Sequence, residues 1–140
     1  MIGNEINCLK KGVPIQIRNA TSYCQSLNAS QILPKSKQES DDLVSALLSL
    51  GLDSIEDGSV LVSIDIYMSV KEKGWSDSTG QLISYFNWLP FEPKQQDINQ
   101  NYAGLRIDKV GETAGWADYS RTDFLNVVCT KRGQSQGKYN

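Results

Sequence analysis

The spacing of apolar residues changes twice along the chain. Residues 1–18 alternate loosely through Ile2, Ile6, Leu9, Val13, Ile15 and Ile17, interrupted by Gly12 and Pro14. This predicts a short N-terminal strand or hairpin. From Asn19 the pattern becomes helical. Asn19-Ala20-Thr21-Ser22 offers several N-cap side chains before Tyr23, Cys24 and Leu27, so a short first helix should carry Cys24 on its inner face. Ser36-Lys37-Gln38-Glu39 has the form of a capping box, in which the serine oxygen accepts from the fourth residue's amide and the glutamate reaches back. Leu43, Val44, Leu47, Leu48 and Leu50 follow at helical spacing, and Gly51 supplies a left-handed stop. This second helix reads as a packing element.

Beyond Gly51 the period is that of strands. Val60 to Ile66 is β-branched and partly alternating, which predicts a central strand. Gly74 to Gly80 is turn-rich around Trp75. Residues 94–101 are almost without apolar side chains and predict a long loop. Tyr102 to Ile107 reads as a strand, Gly115-Trp116-Ala117-Asp118 as a turn beside another, and Phe124 to Cys129 as the last strand. No repeat and no linker divides the chain, so residues 1–133 are expected to form one domain and residues 134–140 a flexible tail. Irregular polar segments between residues 71 and 101 are long for a compact domain, and such loops usually carry function.

Composition narrows the chemistry. With 14 basic and 16 acidic residues the net charge is −2, and the basic residues are dispersed, which argues against nucleic acid as a partner. No apolar run approaches the length of a membrane span. There is no histidine, no nucleophile set in a motif and no dense pair of acids, so an enzyme is not expected. The polar start Met1-Ile2-Gly3-Asn4-Glu5 is no signal peptide; it suits a cytosolic protein or a mature segment behind an added Met. Three cysteines, Cys8, Cys24 and Cys129, form no metal-binding spacing and leave one over after any intrachain pairing. Asn19-Ala20-Thr21 and Asn28-Ala29-Ser30 fit the N-glycosylation pattern, although short sequons also arise by chance.

The order of these landmarks resembles the C-type lectin-like domain family over nearly the whole chain. Ala20 to Cys24 looks like the family's first helix, and Ile32-Leu33-Pro34 with Glu39 like the link into its second. Val60 to Ile66 stands in for the strand that usually reads Trp-Ile-Gly-Leu. Trp75-Ser76-Asp77 and Asn87-Trp88 match family landmarks. Glu92-Pro93-Lys94 sits where Glu-Pro-Asn occurs in mannose-type members, Trp116-Ala117-Asp118 where Trp-Asn-Asp occurs, and Val127-Val128-Cys129 is the closing strand. The resemblance implies an α+β fold of two helices and small antiparallel sheets, with a long ligand-binding loop between Trp88 and Asp118. It also implies a secreted or extracellular recognition module for a glycan or a protein ligand, which favours the mature-segment reading of the N-terminus.

The resemblance further implies a Cys24–Cys129 disulfide. The family's second disulfide is absent: Tyr102 stands where its first cysteine belongs and Tyr119-Ser120 near its partner. Cys8 is then either an intermolecular bridge or an unpaired or buried thiol, so a homodimer could be disulfide-linked or non-covalent. The family's calcium ion, which would take ~6–8 oxygen ligands, falls on Glu92, Lys94, Gln100, Ala117 and Asp118. Only Glu92 and Asp118 keep the usual chemistry, and Lys94 carries the wrong sign. Calcium is expected weakly or not at all, unless a shifted site uses Asp97, Asn99 or Asn101. Lys94 would instead pair with Glu92 or Asp118. The candidate ligand-binding residues are therefore Glu92, Lys94, Gln100, Asn101 and Asp118, with Trp75, Tyr85, Phe86, Trp88, Phe91 and Trp116 as aromatics in or near that end. Of these, Trp88 and Trp116 are assigned to the core.

Overall fold

A computed structural model describes residues 9–11, 14–54, 58–69, 71, 73–95, 101–108 and 113–131. Cys8, Asp97, Asn99, Gln100 and the tail 134–140 lie outside these residues. In chain order the elements are β1 (Leu9–Lys11), β2 (Ile15–Gln16), a 3-10 turn (Ile17–Asn19), α1 (Ala20–Ser26), β3 (Ser30–Gln31) and α2 (Lys37–Leu48). They are followed by β4 (Ser59–Ser69), β5 (Gly74–Ser76), β6 (Tyr102–Asp108), β7 (Thr113–Tyr119), β8 (Phe124–Leu125) and β9 (Val128–Thr130).

Both predicted helices form. At the start of α2 the Ser36 hydroxyl accepts from the Glu39 amide at 3.1 Å. Glu39 reaches back to the amide of Lys35 at 2.9 Å, one residue outside the cap. Gly51 follows the helix with φ +66°. At α1 the Asn19 side chain makes no capping bond, because the 3-10 turn already leads the backbone into the helix.

The central sheet has the order β5-β4-β6-β7, with every neighbour antiparallel. β4 is interior, as its β-branched run predicts, and both its faces are covered. Val60, Val62, Ile64 and Ile66 point into the main core against Leu43 and Leu47 of α2. Leu61, on the other face, joins Ile17 and Leu125 in a smaller cluster. Burying one such side chain contributes ~1.5–3 kcal/mol, so β4 alone anchors two apolar layers.

The chain ends are tied together on small sheets: β9 lies between β1 and β3, and β2 pairs with β8. The N-terminal strands thus pair with the C-terminal ones rather than with each other. Phe124 to Cys129 is not one strand but two, β8 and β9, split at Asn126 and Val127. Asn126 is fully buried and spends its backbone on β4: its amide donates to Leu61 and its carbonyl accepts from Ser63, both at 2.9 Å. Cys24 and Cys129, both buried, form a disulfide across 105 residues of chain. It fastens α1 to β9.

Gly115 to Asp118, read from the sequence as a turn, instead lies inside β7. The glycine has a packing reason: a Cβ on Gly115 would stand 2.7 Å from a Leu89 methyl and 3.2 Å from the Asn87 carbonyl. Close approach of the preceding segment to β7 demands its absence.

Candidate functional site

That close approach builds the site. The segment through Trp88 lies alongside β7: the Leu89 amide donates to the Trp116 carbonyl at 2.9 Å, and the Trp116 amide to the Asn87 carbonyl at 2.8 Å. Two residues beyond Trp116, Asp118 sits near the end of the same strand, opposite Ala103. The chain leaving Leu89 therefore passes directly over Asp118. A turn follows, in which the Glu92 amide donates to the Leu89 carbonyl at 3.0 Å, and the Glu92–Pro93 peptide is cis.

Three residues then satisfy one another. Asp118 is 3% exposed, and its two carboxylate oxygens accept the backbone amides of Lys94 at 3.0 Å and Gln95 at 2.7 Å. The Lys94 ammonium contacts the Glu92 carboxylate in an ion pair. The other Glu92 oxygen faces the Asp118 amide at 3.5 Å. The Glu92 side chain is only 8% exposed, whereas that of Lys94 is 45% exposed. Both partners foreseen for Lys94 are engaged, by different atoms: the side chain goes to Glu92 and the backbone to Asp118.

As a donor set for calcium these residues do not fit. A hard cation needs several oxygens turned to one point. Here the cationic group on Glu92 is covalently part of the chain, and each Asp118 oxygen is turned to a backbone amide. Among the described residues no group of three or more acidic, cysteine or histidine side chains could hold a metal ion. Asn101 is half-buried, and its carbonyl accepts from the Met68 amide of β4 at 2.7 Å. Among the described residues, no hydrogen bond joins it to the Glu92–Lys94–Asp118 group.

The aromatic residues divide into two sets. Trp116 is fully buried and makes edge contacts with Tyr85 (5.7 Å), Phe86 (6.2 Å) and Trp88 (5.8 Å). Trp75 packs on Trp88 at 5.1 Å. Trp75, Tyr85, Trp88 and Trp116 pack on the main core, as assigned for Trp88 and Trp116, and Phe86, 42% exposed, lies against the Trp88 and Trp116 rings from outside. Phe91 stands apart, 96% exposed and with φ +69°. Tyr102 and Tyr119, at the positions of the missing disulfide, are directly opposed on β6 and β7 and pack against the Ile17, Leu61 and Leu125 cluster. Gly104 lets them do so: a Cβ there would sit 2.5 Å from Leu125 and 2.9 Å from the Tyr119 ring.

Sequence reasoning did not single out Gln95, because its contribution is a main-chain amide. A separate cleft of about 110 Å³, lined by Leu33, Lys35, Asp77, Leu82 and Tyr85 among others, shares no residue with Glu92, Lys94, Gln95 and Asp118. Along its rim the Asp77 carboxylate takes bonds from Thr79 and Gln81. Partial burial raises its pKa, but those bonds outweigh the burial and hold it below the usual carboxylate range.

Solved structures share this architecture. Human lithostathine matches with a TM-score of 0.70 at 21% identity, covering 87% of this chain and 81% of that one. The C-type lectin CEL-I from Cucumaria echinata matches with a TM-score of 0.68 at 19% identity, over 88% of each chain. The carbohydrate-recognition domain of the mouse scavenger receptor C-type lectin gives 0.66 at 18% identity, over 89% and 87%. No protein-family model and no curated protein matches the sequence. The chain has the C-type lectin-like fold, an α+β arrangement of two helices and small antiparallel sheets. Among the described residues no helix is long and apolar enough to cross a membrane.

Proposed function

We propose that this chain is an extracellular recognition module that binds carbohydrate at the Trp88–Asp118 end of the fold without calcium. The observation that carries the metal-free reading is the Lys94 ammonium on Glu92, beside an Asp118 whose two oxygens each accept a backbone amide. In a site of this kind a divalent ion would have to displace an internal cation that is never diluted away. The carbohydrate reading is supported by the fold. Two of its structural neighbours are a carbohydrate-recognition domain and the murine dendritic cell inhibitory receptor 2 domain in complex with N-glycan. The Cys24–Cys129 disulfide supports an oxidising, extracellular setting.

A glycan array read with calcium and with chelator tests the proposal. Binding in both conditions is expected. Binding lost in chelator overturns the metal-free reading. Binding in neither overturns the carbohydrate reading and favours a calcium-independent protein-binding module of the same fold. Cys8 either bridges a homodimer or stays an unpaired or buried thiol, and nonreducing gel mobility against Cys8→Ser separates the two.

A further inference from the structure

We propose that Phe91 is the residue on which the sugar ring stacks, and that its strained turn is kept for that purpose; this rests on the carbohydrate reading above. Leu89-Pro90-Phe91-Glu92 is a type II turn. Pro90 fixes the negative φ of the first central position, Phe91 takes φ +69° at the second, and the Glu92 amide closes on the Leu89 carbonyl at 3.0 Å. Glycine is the residue this second position favours, because a positive φ strains a bulky side chain. Phe91 gains nothing in return from the fold, since 96% of its surface is in water. Strain of this sort, persisting where packing does not reward it, is characteristic of functional sites.

The turn is also held firmly. Leu89 is bonded to Trp116 on one side, and Lys94 and Gln95 are bonded to Asp118 on the other. The exposed ring is therefore presented by an ordered backbone, so little conformational freedom is lost when a ligand settles on it. Lys94 and Gln95, both exposed, follow within four residues; their backbone amides are bonded to Asp118, and the side chains offer the remaining ammonium N–H groups and a carboxamide. An apolar face next to hydroxyl-binding groups suits a neutral hexose, whose C–H face covers the ring while its hydroxyls reach the polar side chains.

The test uses Phe91→Gly, Phe91→Asn and Phe91→Trp in the full chain. Binding is measured on an array of immobilised neutral glycans. Saturation-transfer NMR is then run with methyl galactoside and methyl mannoside as probes, and Tm is recorded alongside. Wild type is expected to bind, with saturation transferred to ring C–H protons. Phe91→Gly and Phe91→Asn should lose roughly tenfold or more in affinity while Tm stays level or rises. Phe91→Trp should bind within about threefold of wild type. Wild-type binding that Phe91→Gly leaves intact overturns this inference and spares the carbohydrate reading. A clear fall in Tm in Phe91→Gly overturns it by making Phe91 structural. A wild type that binds no glycan overturns both.

Discussion

Lys94→Met isolates the internal cation, because methionine keeps much of the apolar stem and deletes the ammonium. The Glu92 side chain, 8% exposed, would be left without its counter-charge. Two unit charges about 4 Å apart interact by ~4 kcal/mol at an effective dielectric of 20. Breaking a fully buried pair costs about 3–5 kcal/mol, and an exposed pair contributes at most ~1. Lys94 is 45% exposed, so the Coulomb figure must be discounted by solvent screening. A loss of about 2 kcal/mol follows, or a fall in Tm of roughly 6 °C for a chain of this size. Urea unfolding of Lys94→Met, Glu92→Gln and the double variant measures it. The double variant should lose clearly less than the sum of the single ones, since the neutral amide introduced by Glu92→Gln needs no counter-charge. Calcium adds a second reading of the same variants. A site with a Kd of about 1 mM would stabilise by roughly 1.4 kcal/mol at about 10 mM ion, and wild type should show no such shift. Additive single losses, or a wild-type Tm that rises with calcium and stops rising in Glu92→Gln, would refute the reasoning.

Asp118→Ala should cost about 2–3 kcal/mol, because two backbone amides lose a charged acceptor; hydrogen exchange at Lys94 and Gln95 should accelerate, and unchanged protection there rejects the clamp. Replacing both Cys24 and Cys129 by alanine removes a link across 105 residues. The chain-entropy model puts its loss near ~4.7 kcal/mol, with ~2–5 the usual experience, read by guanidinium unfolding against wild type. Asp77 titrates below its unfolded value, so its contribution to stability is present above the unfolded pKa and is lost as pH falls through the lower folded one. Asp77→Asn should flatten the acid limb of Tm against pH below about pH 4; an unchanged acid slope would show that the Thr79 and Gln81 bonds do not couple to folding.

The elements legible from sequence are those whose signal is local. α2 announces itself by Ser36, Glu39 and its leucines, and β4 by β-branched residues at alternate positions from Val60 to Ile66. What escapes has tertiary causes. Gly115 looks like a turn residue, yet it sits within β7 because Leu89 and Asn87 press against it. Asn126 interrupts the last strand because its backbone and side chain bond to Leu61 of β4, a residue remote in sequence. Glu92, Lys94 and Asp118 stand out through the family resemblance, and the hydrogen bonds that join them establish their proximity. Gln95 has no side-chain signature to find, and the isolation of Phe91 is hidden among five neighbouring aromatics that pack together.

The loop end makes physical sense as two carboxylates held by groups of the chain itself. Two carboxylates brought together by the crossing of residues 87–89 over β7 would repel and would each resist burial. A metal ion solves that problem only while it is bound, so a loop organised that way has a shape that depends on its surroundings. Lys94 solves it permanently: its charge neutralises Glu92 while its backbone amide, with that of Gln95, satisfies Asp118. The consequence is a loop whose backbone is fixed by residues of the chain itself. On the carbohydrate reading proposed above, affinity comes from what the held loop displays. Among the described residues of that loop, Phe91 is the large apolar side chain that the fold itself does not use.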